Sequence, residues 1–295
     1  MAEIIQKDGT WVFDGDALRL IPGRDKGVGL LRRELGELLI PLSALASISV
    51  AQGRRSGLLR LRLRDGADPL LQATGGRLRD ADDPYRLVVE PDRGAVAEYF
   101  AHEVRNALLL EGISPEPADR YLLPGPALPV SASAGDGSAS FDGERVRLEW
   151  NWKTEDAKAQ TGTRTVPLGE ILGVEWQPAS GLENGHLRFL VRGAPAAGRA
   201  KYDPNAVELW GFKKDPLMAL VGAAVQARLP HPARQRPDAP ARPAPTEQAP
   251  EQPPAADAGH DALLRRLREL GELRRDGVLT EEEFTRAKQA VLGQL

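Results

Sequence analysis

The stretch "FDGDALRL" at residues 13–20 returns as "FDGERVRL" at 141–148, with five of eight positions identical. A repeat of this kind limits the fold more than any other feature of the chain. Whatever architecture the first copy adopts, the second must adopt as well. The correspondence runs on. "IPLSALASISV" (40–50) is answered by "VPLGEILGVEW" (166–176), and "GLLRLRL" (57–63) by "GHLRFLV" (185–191). "DDPYRLVVE" (82–90) is answered by "YDPNAVELW" (202–210), and each copy closes on a helical run, 94–111 and 216–229. The copies differ in length only between these blocks, in loops.

Each copy reads as strands first and a helix last. Asp14-Gly15 and Asp142-Gly143 each separate two apolar runs, which predicts tight hairpins of type I′ with both central residues at positive φ. In "LLRLRLRD", Leu59, Leu61 and Leu63 alternate with Arg60, Arg62 and Arg64, the period of a half-buried antiparallel strand. Val96, Phe100, Val104 and Leu108 form one stripe on the first closing helix, with Asp92 as the expected cap. On the second, Leu217, Leu220, Val221, Ala224 and Val225 form the stripe. There Asp215 is the expected cap and Pro216 the first helical residue. The predicted class is α+β: two antiparallel β-rich modules, each covered by its terminal helix. That order and length resemble a pleckstrin-homology-like domain; a generic α+β domain carries the same order.

Composition places the segments between the modules. The first module spans 1–112 and the second 136–229. Residues 113–135, rich in Pro, Ser, Ala and Gly, read as a connector in which Tyr121, Leu122 and Leu123 can pack on a module. Nine prolines fall within 230–260. Such a segment buries too little apolar surface to offset its ordering entropy and reads as a disordered linker. Residues 261–295 read as a helical hairpin. Leu263, Leu267 and Leu270 share one face, Asp276-Gly277 breaks the first helix, and Thr280 with Glu283 forms a capping box. Phe284, Ala287 and Val291 continue the apolar face.

The C-terminal pattern, through Leu270, Leu273, Asp276, Gly277, Leu279, Thr280, Glu282, Glu283 and Phe284, resembles the short C-terminal (SHOCT) domain of bacterial proteins. The body, with its "FDG" and "PL" segments in each copy, resembles a tandemly duplicated actinobacterial domain of unknown function. The first resemblance implies an oligomerisation or docking role for the tail; the second implies no known activity. Physical size agrees with the former, because about 35 residues rarely fold without a partner surface. The candidate contacts are Leu263, Leu267, Leu270, Leu279, Phe284 and Val291.

Charge and chemistry narrow the function. The net charge is −3, and neither module has the basic excess that nucleic-acid binding requires. The chain has no cysteine, which excludes disulfides and thiolate chemistry. No signal segment is visible, and the longest apolar run, 217–225, is too short to span a bilayer. The expectation is a soluble cytoplasmic protein. The four histidines, His102, His186, His231 and His260, lack metal-ligand spacing, and no phosphate loop or nucleophile elbow is present. The reading is therefore non-enzymatic binding, with no cofactor.

Two features are candidates for contact with a ligand. Arg54 and Arg55, followed by Arg60, Arg62 and Arg64, can hold an anion or form a solvated sheet face. The second copy keeps Arg188 and Arg192 but replaces Arg62 with Leu190, so an anion site belongs to the first copy. Trp150 and Trp152 are expected to share a strand face with Leu148, either as core or as a protein or membrane contact. Self-association or a protein partner is expected through the tail; a membrane surface is the alternative. The loops where the copies differ, 53–56 and 153–163, are the places to look.

Overall fold

Leu59, Leu61 and Leu63 are buried and Arg60 and Arg62 are exposed along one strand, the alternation that the sequence carries. The same logic builds both modules in a computed structural model that describes residues 1–53, 56–195 and 198–235. Module one contains β1 (Ala2–Gln6), β2 (Gly9–Phe13), β3 (Ala17–Pro22), α1 (Leu30–Leu35), β4 (Leu38–Pro41) and β5 (Leu45–Ala51). It continues through β6 (Gly57–Leu63), α2 (Pro69–Thr74), β7 (Arg86–Val89) and α3 (Gly94–Leu110). Strands β1 to β4 form one antiparallel sheet in chain order and β5 to β7 a second. Helix α3 covers the interior between them: Phe100 and Val104 are fully buried, and the Phe100 ring lies 6.4 Å from that of Trp11.

Module two repeats this plan with β8 (Val130–Ala134), β9 (Gly137–Phe141), β10 (Arg145–Trp150), α4 (Asp156–Ala159) and β11 (Arg164–Pro167). It ends on β12 (Ile171–Gln177), β13 (Gly185–Val191), β14 (Ala206–Leu209) and α5 (Met218–Gln226). The sheets are again four and three strands, with the same neighbours. Each module is thus a four-plus-three-stranded antiparallel body followed by a helix.

The repeated Asp-Gly turns differ from the expected type. Asp14 stands before the turn, not at its centre. Its Oδ1 accepts the N–H groups of Asp16 (3.1 Å) and Ala17 (2.9 Å), so only Gly15 takes positive φ, at 119°. Asp142 does the same for Glu144 and Arg145, both at 2.8 Å, with Gly143 at 114°. The aspartate side chain supplies a turn bond that a second positive-φ residue would otherwise have to support. These N–H bonds hold both carboxyls below their usual range. A lowered acid contributes stability above its unfolded value and loses it as pH falls through the folded one. We therefore expect Asp14→Asn with Asp142→Asn, which keep the acceptor oxygen, to unfold with less pH dependence below about pH 4. Urea titrations at pH 2–5 check this; an unchanged slope would count against it.

Neither expected helix cap forms. Helix α3 is preceded by a short 3₁₀ turn, Pro91–Arg93, and Asp92 is exposed without capping it. Asp215 and Pro216 lie in the 3₁₀ turn Asp215–Leu217 ahead of α5, and the Asp215 carboxylate turns back to accept Gly211 N–H (2.7 Å) and Phe212 N–H (3.1 Å). The stretch assigned to the connector also contains β8. "VSASA" has too little apolar content to announce a strand, and its pairing with β9 defines it.

The larger difference concerns α5. A single buried stripe was expected, yet eight of its nine residues are buried. Helices α1 and α2 of module one pack on the side that module two leaves uncovered, and Leu31 and Leu70 belong to the second module's core. The connector is equally engaged. Ala118 and Leu123 join the first core, and Tyr121 Oη accepts a hydrogen bond from Gln226 Nε2 at 2.8 Å. His231, assigned to the linker, is buried edge-on to Tyr121, with Nε2 2.9 Å from the Gly66 carbonyl. All described residues fall within one compact unit, Met1–Ala239. Among the described residues no helix is long and apolar enough to cross a membrane.

Candidate functional site

A second Asp-Gly pair opens each module, Asp8-Gly9 before β2 and Asp136-Gly137 before β9. Both aspartates make the same clip. Asp8 accepts Arg32 Nη1 (3.0 Å) through one oxygen and Val88 N–H (3.0 Å) through the other. Asp136 accepts Lys158 Nζ (2.6 Å) and Glu208 N–H (2.8 Å). A carboxylate in the first turn thus ties the last strand of the module to a cation from the β3–β4 or β10–β11 connection. In module two the pair is fully enclosed, with Lys158 0% and Asp136 1% exposed. Burial pushes the Asp136 carboxyl up and the Lys158 ammonium down, each opposed by the attraction of the other. Lys158 Nζ also donates to Ala200 O (3.1 Å) and sits 4.4 Å from the centre of the Trp150 ring.

This clip holds two loops at one end of module two. Asn151 donates its backbone N–H to Asp136 O (3.1 Å) and its Nδ2 to Gly135 O (2.9 Å), and its own Oδ1 accepts Lys153 N–H (2.9 Å). Thr154 Oγ1 donates to Asp136 O as well. A loop pinned at 151 and 154 leaves Trp152 at its tip, 88% exposed. The second loop follows β14, where Gly211 takes φ +85° and Asp215 ties down Gly211 and Phe212. Phe212 is 58% exposed, with its ring 6.1 Å from that of Trp210 in an edge-to-face arrangement. Lys153 joins the loops, its Nζ 5.3 Å from the Trp152 centroid and 5.2 Å from that of Trp210. Lys213 and Lys214 complete an exposed aromatic–lysine tip. Such a tip offers apolar rings and positive charge together.

A family described as a domain of unknown function (DUF4429) matches residues 11–105 and 139–226, which together make up more than half of the chain. The chain belongs to the DUF4429 family. Residues 265–292 match the short C-terminal domain, SHOCT. No curated protein matches the chain in sequence.

The two DUF4429 repeats share fold, turns and clips, so their differences are the informative part. In the register of the repeat, Trp150, Trp152, Trp210 and Phe212 answer Pro22, Arg24, Glu90 and Asp92. The aromatic tip is therefore private to the second repeat. The outer faces of the four-stranded sheets differ as well. Ile5, Val12, Ile21 and Leu39 on the first repeat answer Ser133, Ser140, Glu149 and Thr165 on the second. Ile5 is 64% and Leu39 57% exposed, so the first repeat presents apolar surface where the second presents hydroxyls and a carboxylate.

The sequence-derived candidates fare unevenly. Trp150 ends β10 half-buried beneath Lys158, and Trp152 lies beyond the strand. The two do not share a strand face, because the chain turns at Asn151. Of the first-repeat arginines, Arg54 and Arg55 lie outside the described residues. Arg60 faces Asp83 at 3.9 Å, and Arg62 is exposed on the same strand face. Arg64 is taken up by the carbonyls of Glu116 (2.7 Å) and Ser43 (3.0 Å), binding the connector to the sheet. Arg60 and Arg64 thus have partners of their own, while Arg62 stays exposed. Leu263, Leu267, Leu270, Leu279, Phe284 and Val291 lie outside the described residues. Sequence reasoning missed Lys153, Trp210, Phe212, Lys213 and Lys214. Their signal was present in "WGFKK" (210–214), two aromatics and two lysines around a glycine, with no counterpart in the first copy.

Proposed function

We propose that the chain is a non-enzymatic binding and scaffold protein. Its joined DUF4429 modules present contact surfaces, and its C-terminal SHOCT region multiplies them by self-association or docking. One observation carries this reading: the repeats keep the same turns and carboxylate clips inside while differing in what they expose. Residues that only fold a module have no reason to differ in this way between copies. An exposed Trp–Phe pair on one copy and an exposed Ile–Leu face on the other support contact with partners. Linking several such bodies through their tails raises apparent affinity without any new contact. We expect the full chain to elute as an oligomer and a chain lacking 261–295 as a monomer, by size-exclusion chromatography with light scattering. Monomeric masses for both would overturn the proposal.

A second reading, attachment to an anionic surface, draws little from Arg64, which is bound to carbonyls. The lysines of module two favour it instead.

A further inference from the structure

Three of the chain's eight lysines, Lys153, Lys213 and Lys214, stand on the two loops that carry Trp152 and Phe212, in a protein that otherwise uses arginine almost throughout. The choice of cation is informative. An arginine fork fixes a carboxylate or phosphate in one geometry, whereas a lysine is a mobile, strongly hydrated point charge. Lysine suits a surface whose anions shift position. The rings agree with this: an indole has an apolar body and a polar edge, and settles where hydrocarbon meets water. The shape agrees too. Asn151, Thr154 and Asp215 hold the two loops from beneath, and Trp152 and Phe212 stay 88% and 58% exposed on them.

From this geometry we infer that the aromatic–lysine tip of module two binds the surface of an anionic lipid bilayer. Trp152 and Phe212 enter the headgroup layer, and Lys153, Lys213 and Lys214 lie against the lipid phosphates. Glu155 and Asp156 follow Lys153 at the start of α4 and offset part of this charge. Charge alone is therefore insufficient, and attachment needs the rings and the lysines together. The inference rests on the binding reading above and names the partner of one of its two surfaces. The apolar face of module one is separate.

The test is co-sedimentation of the full chain with vesicles of phosphatidylcholine alone and of phosphatidylcholine with phosphatidylglycerol. Binding is expected only to the anionic vesicles and should weaken as salt rises. Lys213→Glu with Lys214→Glu should lower it by about fivefold or more per lysine. Trp152→Ala with Phe212→Ala should lower it by at least about tenfold. Leu109→Ser with Leu110→Ser, exposed at the end of α3, should leave it unchanged. Circular dichroism melts establish that the variants fold. No preference for anionic vesicles, or binding that ignores the tip substitutions, overturns the inference. So does tip-dependent capture of a protein by a chain that does not bind lipid. An oligomer that fails to bind vesicles would sink this inference and leave the scaffold reading standing; a monomer that binds them would do the reverse.

Discussion

Replacing Lys158 with methionine is expected to destabilise the protein by about 3–5 kcal/mol, the usual consequence of leaving a buried charge without its partner. The Asp136 carboxylate is enclosed, and after the change only the Glu208 N–H would remain on its side chain. The Ala200 carbonyl would lose a donor as well. The stated cause makes a further demand. Burial already raises the Asp136 carboxyl, and removing the lysine raises it further. An acid raised in the folded state costs stability when ionised, so the deficit should shrink as pH falls through its folded value. Adding Asp136→Asn should restore most of the loss, because a neutral amide oxygen still accepts the Glu208 N–H without a bare charge. Urea unfolding of the two single variants and the double variant, at several pH values, gives the coupling directly. A double variant as unstable as Lys158→Met would mean that packing, not charge, is responsible. The counterpart in module one should be milder. Asp8 is more accessible than Asp136, so water can take over part of the role of Arg32.

Leu70→Ala is expected to cost about 2–5 kcal/mol, and to cost it in module two. Leu70 belongs to the first repeat by sequence, yet its side chain is buried in the second core. It is delivered there by α2, whose first turn Asp68 caps at Leu70 N–H (2.9 Å) and Leu71 N–H (3.1 Å). Asp68 is in turn held by the Tyr85 hydroxyl at 2.7 Å. Hydrogen exchange should show faster exchange in α5 and β13 of the Leu70→Ala protein. Loss of protection confined to module one would contradict the interlocked arrangement. Thermal unfolding of the described body should also remain one transition, since the second core is incomplete without Leu31 and Leu70 of the first repeat.

Much of the fold can be read along the chain. The duplication, the alternation of Leu59, Leu61 and Leu63 with arginines, and the Phe100–Val104 stripe are all local patterns, and local patterns survive into structure when one face of an element meets one core. The reading failed where burial came from elsewhere. Helix α5 looks half-exposed in sequence because its own module covers half of it; α1 and α2 cover the rest. Strand β8 is nearly silent, because "VSASA" has one deeply buried side chain and depends on pairing with β9. Asp215 looked like a helix cap, but a 3₁₀ turn intervenes and its carboxylate organises the loop behind it.

The candidate site divides in the same way. The sequence by itself determined that two like modules exist, that strands precede a closing helix in each, and that function should be sought where the copies differ. Only the tertiary structure decided which differences belong together. Trp152 and Phe212 are distant in sequence, and Lys153 between the rings of Trp152 and Trp210 shows that their loops meet. Tertiary structure also gave Arg60 and Arg64 neighbours that the sequence did not announce, Asp83 and backbone carbonyls. The physical reason is one of range. Periodicity and turn chemistry act over a few residues and set which way a side chain faces its own sheet or helix. Which groups then meet depends on the path of the whole chain and on the long-range contacts that close it.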